Sequence, residues 1–337
     1  MTAFRALRIH ETQVSDQPAK IDARFERLEL DSLTPGEVVI DVEYSGINYK
    51  DALAATGAGK ILRRYPLVGG IDLAGTVRSS EDSRFKAGDS VLVTGSGLSE
   101  NFDGGYSEVA RVKADSVIAM PTGLDAFRAM ALGTAGFTAA LAIHRMERNG
   151  QHPSQGPVVV TGASGGVGSI AVDMLAGRGY EVIAVTGKRE SFGYLESLGA
   201  TKVVAREEFD LGKRALEPTR YAGAIDNVGG ETLAGLTRQV DFWGSIASIG
   251  LTGGAELKTT VMPFILRGIN LLGINSSATR RQERLTVWAR IAGDCAPRHL
   301  DRIATRTIPF AELPAAFPAY LDGKVTGRTV VKIGPRS

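Results

Sequence analysis

Seven residues, Gly162-Ala-Ser-Gly-Gly-Val-Gly168, have the composition and spacing of a turn that lets backbone approach a phosphate. Glycine has no Cβ to hold an anion off, and the free N–H groups at a helix start add donors and positive potential. Val158, Val159 and Val160 precede the turn as a buried strand, and Ile170, Ala171, Met174 and Leu175 follow it at helical spacing. On the template G-x-G-x-x-G, with Ala163, Gly165 and Gly168 aligned, two of the three positions are glycine. In a strand–turn–helix setting this points to a dinucleotide site. An NAD site carries Asp or Glu about 20 residues further on, at the end of the second strand. Here that strand ends at Thr186 and runs into Gly187, Lys188 and Arg189, with Arg206 after the third strand on the adjacent edge. Thr186 and Lys188 suit the 2′-phosphate of NADPH. Glu190, the only nearby acid, falls in the first helical turn, too late to hold a ribose. A solvated helix start is the plainer alternative for Lys188 and Arg189.

Three rival readings of the glycine turn exist. It can serve packing alone. A Walker A loop needs Gly-Lys-Ser/Thr, whereas Ser169 follows Gly168 directly. Thr161-Gly162-x-x-x-Gly166-x-Gly168 also fits the turn of short-chain dehydrogenases, and Tyr320 and Lys324 supply a Tyr-x-x-x-Lys. That pair has Pro318 before it and Gly323 inside it, a poor helix, and the turn comes far too late in the chain for that family.

The elements that must position this turn divide the chain in two. At 337 residues it exceeds the usual size of one core. Short strands with glycine turns fill residues 1–124: 3–9, 37–44, 72–77, 90–94, 107–112 and 116–119, with one helix at 49–56. Asp125 is placed to cap a helix that runs through Gly133, and 134–147 forms a longer amphipathic helix. From 158 strands alternate with helices, at 181–186, 202–205, 223–227, 244–249 and 270–275, as in a doubly wound parallel sheet. A helix at 282–292, a strand at 303–308, a short helix at 313–321 and a closing strand at 327–333 follow. The last strand is expected to return to the first domain.

Lys and Arg total 39 against 37 Asp and Glu, interspersed, for a net charge of +2. That balance excludes a nucleic-acid footprint or a polybasic membrane patch. The apolar run 129–143 is too short to span a bilayer, and Met1-Thr-Ala-Phe-Arg-Ala-Leu-Arg has charges where a signal peptide is apolar. Cys295, the single cysteine, excludes an intramolecular disulfide and a cysteine-rich zinc cluster, and reads as an inert thiol at a helix end. A reducing, cytoplasmic setting is expected. His10, His144, His152 and His299 have no ligand spacing and receive no role.

Several motifs resemble the medium-chain dehydrogenase/reductase superfamily over nearly the whole chain. They are Pro66-Leu-Val-Gly-Gly-Ile-Asp-Leu-Ala-Gly75-Thr-Val77, Phe85-Lys-Ala-Gly88-Asp89-x-Val91, Gly104-Gly105-Tyr106-Ser107-Glu108 and Gly133-Thr-Ala-Gly-Phe-Thr138. The resemblance implies an α/β fold: a Rossmann NADPH-binding domain at 126–276 and a GroES-like, β-barrel-type catalytic domain at 1–125 and 277–337. Zinc alcohol dehydrogenases need Cys and His where this chain has Asn48 and Ile71, with Asp72 following, so no metal is expected. Asn48-Tyr-Lys-Asp51-Ala-Leu, the glycine turn, Thr260-Val-Met-Pro-Phe-Ile-Leu266 and Gly327-Arg-Thr most resemble the zinc-free branch, within it the acrylyl-CoA reductase (NADPH) subgroup.

That likeness implies NADPH-dependent reduction of a short 2-enoyl-CoA, acrylyl-CoA to propanoyl-CoA, by a homodimer acting on a small acyl-CoA without nucleic acid or membrane. A quinone oxidoreductase and a nucleotide-binding protein without turnover remain the alternatives. By the same resemblance Ser164, Gly165, Gly166 and Val167 line the pyrophosphate, and Leu251, Ile265 and Ser276 contact the nicotinamide half. Tyr49 lies near the nicotinamide as a catalytic candidate, with Asn48 a weaker one; Tyr49 as a packing aromatic is the plainer reading. Asp51 is expected to cap or pair within its helix. Lys60, Arg63 and Arg64, and Arg280, Arg281 and Arg284, form two basic clusters suited to the phosphates of CoA, although solvated charge accounts for them equally well.

Overall fold

The computed structural model describes residues 3–13 and 19–334; the expected outer domain limits, 1 and 337, lie outside the described residues. Two compact units divide the chain: Met1–Thr134, Ser277–Thr286 and Ala304–Ser337 form one, Ala135–Ser276 and Val287–Ile303 the other.

Strands β1 (Phe4–Thr12), β2 (Lys20–Leu28), β3 (Val38–Gly46), β4 (Leu67–Val68), β5 (Asp72–Ser80), β6 (Ser90–Thr94), β7 (Val109–Val112) and β8 (Ile118–Ala119) open the first unit, with helix α1 (Tyr49–Thr56) after β3. β1 pairs with β2 and β4 in one antiparallel sheet. The strand β2 is absent from the sequence expectations because Lys-Ile-Asp-Ala-Arg-Phe-Glu-Arg-Leu places charges along its whole length. Helix α2 (Ala126–Arg148) is long and apolar enough to cross a membrane by composition, but most of it is buried within the protein and Gly133 interrupts it. Asp125 Oδ1 accepts the N–H of Arg128 at 2.7 Å and caps its start, as expected.

The second unit carries β9 (Val158–Thr161), α3 (Gly166–Gly177), β10 (Val182–Thr186), α4 (Phe192–Ser197), β11 (Lys202–Ala205), β12 (Tyr221–Asp226), α5 (Gly230–Gln239), β13 (Val240–Ser248), α6 (Met262–Arg267) and β14 (Asn270–Gly273). Its sheet runs β11-β10-β9-β12-β13-β14, every neighbour parallel. This is the doubly wound order, with its switch point between β9 and β12. Val158, Val159 and Val160 have no exposed surface. Each buried valine contributes about 1.5–3 kcal/mol relative to an exposed one, which anchors the strand that feeds the glycine turn.

Helices α7 (Arg281–Ile291) and α8 (Leu300–Ile303), strand β15 (Arg306–Pro309), helix α9 (Leu313–Leu321) and strand β16 (Thr329–Lys332) complete the chain. The final strand returns to the first unit as expected, antiparallel to β3 and parallel to β15, in a sheet ordered β15-β16-β3-β5-β6-β8 with β7 also on β3.

Two expectations change. The strand expected from 303 begins at Arg306, because Leu300 and Ile303 are buried on one turn of helix. The domain limits also shift: 126–134 falls in the first unit and 287–303 in the second. Gly133, at φ 51° and ψ −153°, breaks α2 just before the division. Within 287–303, buried Trp288 stacks on Phe137 at 6.1 Å, and His299 donates its backbone N–H to the buried Asp173 carboxylate of α3 at 2.9 Å.

Candidate functional site

In the second unit the glycine turn leaves β9 and opens α3 at Gly166, with Gly165 as its first non-helical residue. The opening N–H groups of a helix have no intrahelical acceptor, and Gly165, Gly166 and Val167 are only half-buried, so donors face outward here. A Cβ on Gly168 would stand 2.4 Å from the Gly162 carbonyl oxygen and 2.6 Å from the Ala163 Cα. That close approach of helix to turn requires glycine.

Ser164 Oγ lies 2.9 Å from Thr186 Oγ1, and Thr186 Oγ1 also accepts the Lys188 N–H at 3.1 Å. Thr186 is 2 % exposed, so its hydroxyl braces Ser164 and the Lys188 backbone from behind. This differs from the direct phosphate contact expected of it. Pairing of Thr186 with Ala205 sets the ends of β10 and β11 side by side. The Arg206 guanidinium therefore lies over Gly187, where a Cβ would sit 3.3 Å from its Cζ. Arg189 is paired with Glu207 and Glu208, whereas Arg206 makes no ion pair among the described residues and acts on Glu207 only through its charge. Burial lowers the Lys188 ammonium below its ordinary pKa, with Glu190 opposing the shift. Lys188 and Arg206 thus flank one glycine at the end of a strand that carries no acid.

The switch point holds a group that sequence reading missed. Asp226 is wholly buried at the end of β12, and accepts from Thr161 Oγ1 at 2.6 Å and the Gly229 N–H at 2.8 Å. Burial raises its pKa, which these donors oppose. Asn227 Nδ2 donates to the Thr161 carbonyl at 2.8 Å, so β9 and β12 are stitched together where the turn begins. Leu251, after β13, is exposed on a cavity of about 240 Å³ lined also by Gly229, Gly250 and Leu257. Ser276 is half-buried after β14. Ile265 is 72 % exposed on α6, whose terminal Gly268 packs on the Trp243 ring near the opening of β13.

In the first unit Tyr49 begins α1, 45 % exposed, and its hydroxyl has no partner among the described residues. Asn48 before it is fully engaged. Its Nδ2 donates to Asp72 Oδ2 at 2.8 Å and Asp51 Oδ2 at 3.1 Å, and its Oδ1 accepts from Arg328 Nη1 at 3.0 Å. An amide so committed positions the start of α1, and this replaces the catalytic role expected of Asn48. Asp51 accepts the N–H groups of Asn48 at 2.8 Å and Ile71 at 3.0 Å, so it caps its helix, one of the two roles expected of it, and ties the helix start to the segment before β5. Burial, reinforced by the charge of Asp72, pushes its carboxyl up to about 7. Asn48, Ile71 and Asp72 correspond to the zinc-ligand positions noted above; here they carry a hydrogen-bond network centred on buried Arg328. That guanidinium donates to the carbonyls of Ala131 at 3.1 Å, Ile47 at 2.9 Å and Met130 at 3.4 Å.

The two basic clusters separate. Arg281 donates to the carbonyls of Asp115 at 2.9 Å and Val117 at 2.6 Å, and buried Arg284 to Thr94 at 2.8 Å. These two arginines serve structure rather than an anion. Lys60, Arg63 and Arg64 are exposed and pair with no carboxylate among the described residues. Cys295 is buried, and burial pushes its thiol up to about 11, in keeping with an inert residue.

Residues 34–122 match the model of an alcohol dehydrogenase GroES-like domain, and residues 166–292 that of a zinc-binding dehydrogenase. A probable acrylyl-CoA reductase of Escherichia coli is 48% identical over 95% of this chain and 98% of its own. The acrylyl-CoA reductase of Ruegeria pomeroyi is 47% identical over 98% and 99%. A Bacillus subtilis protein named as a quinone oxidoreductase is 46% identical over 98% and 99%. An oxidoreductase of Salmonella enterica, solved with NADP, superposes with a TM-score of 0.92 at 47% identity, covering 98% of this chain and all of its own. The Bacillus subtilis structure, solved with NAD, gives 0.94 at 46% identity with the same coverage.

Proposed function

The chain belongs to the zinc-free medium-chain dehydrogenase/reductase family, and from that premise we propose that it reduces the carbon–carbon double bond of a short 2-enoyl-CoA with NADPH, taking acrylyl-CoA to propanoyl-CoA. It is an oxidoreductase of that family, and 47–48% identity to acrylyl-CoA reductases over nearly the whole chain carries the substrate reading. The choice of NADPH over NADH rests on Lys188 and Arg206 beside Gly187, with no acid at the end of β10. Two cations at that edge favour a phosphate over a bare ribose diol.

When bound, the cofactor would supply a hydride for the β-carbon of the thioester, and a proton from solvent would complete the reduction at the α-carbon. The N–H groups of Gly165, Gly166 and Val167 and the Ser164 hydroxyl hold the pyrophosphate, with Thr186 fixing Ser164 from behind. Leu251 and Ser276 border the nicotinamide half. The Tyr49 hydroxyl, free of protein partners among the described residues, stabilises charge developing on the thioester oxygen or positions the nicotinamide ring. Asn48, Asp51, Asp72 and Arg328 hold the start of α1 so that Tyr49 is presented in one orientation, and no metal takes part. The open edge of β14, with exposed Trp243 and Leu271 nearby, supports a homodimer.

The name of the Bacillus subtilis relative favours a second reading, reduction of a quinone. Turnover with NADPH deuterated at the transferred position separates the two. The enoyl reading requires propanoyl-CoA with one deuterium on the β-carbon; unlabelled product, or oxidation of NADPH by quinones alone, would refute it.

A further inference from the structure

We propose that Lys60, Arg63 and Arg64, on the loop after α1, hold the phosphates of the nucleotide handle of the acyl-CoA; this rests on the enoyl-CoA reading above. Three cations within five residues repel one another unless carboxylates or an anion offset them. No carboxylate among the described residues pairs with any of the three, and all three side chains are exposed. The loop that presents them is fixed. Leu62 between them is 1 % exposed in the core, and the Arg63 N–H donates to the Glu100 carbonyl at 2.8 Å.

Glu100 ties this loop back to the reacting end of α1. Its carboxylate pairs with Lys50, the residue after Tyr49, and accepts from Ser277 Oγ at 3.1 Å. The turn that carries Glu100 holds Ser96 at φ 53° and Ser99 at φ 58°, left-handed conformations that non-glycine residues keep only where surrounding contacts impose them. Tyr49, Lys50, Glu100 and Arg63 therefore form one connected run. Cations at its far end and an unpartnered phenol at its near end match a ligand with a reactive acyl group at one end and phosphates at the other. Lys50 is neutralised by Glu100 and does not compete for the phosphates.

The probe is adenosine 3′,5′-bisphosphate, titrated calorimetrically into protein saturated with NADPH so that the cofactor's own phosphate site is filled. Lys60→Ala/Arg63→Ala/Arg64→Ala should weaken its binding about ten-fold or more, with a shallower salt dependence than the parent. The same variant should lower the ratio of kcat/KM for acrylyl-CoA to that for the acrylyl thioester of pantetheine, which lacks the nucleotide, by a similar factor. Equal probe binding by parent and variant, or an unchanged ratio, overturns the inference. If the parent reduces quinones and no thioester, yet the probe binds and the variant loses it, the enoyl-CoA reading falls and the phosphate site stands. If the parent reduces both thioesters with equal kcat/KM and binds no probe, the phosphate site falls and the enoyl reading stands.

Discussion

Arg328 and Asp72, both almost wholly buried, stand with Nη2 and Oδ2 3.9 Å apart and close the two helix ends exposed by the kink at Gly133. Arg328 donates to the carbonyls of Met130 and Ala131 before the break, while Asp72 accepts the N–H of Thr134 at 2.9 Å and its hydroxyl at 2.6 Å after it. A Cβ on Gly133 would lie 2.6 Å from Asp72 Oδ2 and 2.7 Å from Arg328 Nη2. The Arg328 guanidinium thus stands beside Asn48 and Asp72 and serves backbone carbonyls.

Removing one member of this pair leaves a buried charge without its partner, so Arg328→Met should cost about 3–5 kcal/mol of stability. Gly133→Ala should also destabilise, through its positive φ and the crowded carboxylate. Urea unfolding of each variant against the parent measures both, and a loss below about 1 kcal/mol for Arg328→Met would contradict the assignment.

Asp51 predicts a pH effect of unusual sign. Its folded-state pKa, about 7, lies above the unfolded value. The folded state therefore binds this proton more tightly, and the contribution is fully present below about pH 4 and lost as pH rises toward the folded pKa. Asp51→Asn should lose that dependence. Between pH values of about 5 and 7.5 the parent should lose stability relative to the variant; parallel profiles would contradict it.

Much of this was legible in the sequence, for local reasons. The glycine turn needs only a dozen contiguous residues to announce itself, and each parallel strand of the second unit was legible as an apolar run, with ends differing by a few residues. β2 was not, because its charged residues hide the alternation. Nor was the network around Asn48: its members Asn48, Asp72 and Arg328 are far apart in the chain and meet only when β16 pairs with β3. The one available signal was an arginine heading the apolar run Thr329-Val-Val, where an unpaired charge cannot be buried. Thr186 was identified as a cofactor residue, but sequence alone could not show that its hydroxyl faces Ser164.

Lys188→Ala with Arg206→Ala should weaken NADPH binding by several kcal/mol, at about 1.5–3 for each charge-assisted contact, and scarcely affect NADH. Fluorescence titration with both cofactors reads the difference. Equal losses would remove the phosphate assignment and fit the NAD found in the Bacillus subtilis structure.

Tyr49→Phe keeps the ring and deletes the hydroxyl. If that hydroxyl stabilises charge on the thioester oxygen, kcat should fall about 100-fold while the NADPH Kd stays within a factor of about two. An unchanged kcat would leave the ring as the working part, and Tyr49→Ala should then raise KM.

Comparison of kcat/KM for acrylyl-CoA, crotonyl-CoA, free acrylate and a soluble quinone, all with NADPH, tests the central claim most directly. Acrylyl-CoA should lead, crotonyl-CoA should follow, and free acrylate and the quinone should be poor by orders of magnitude. A quinone that matches or exceeds acrylyl-CoA, or free acrylate that reacts as well as its CoA ester, would contradict the account.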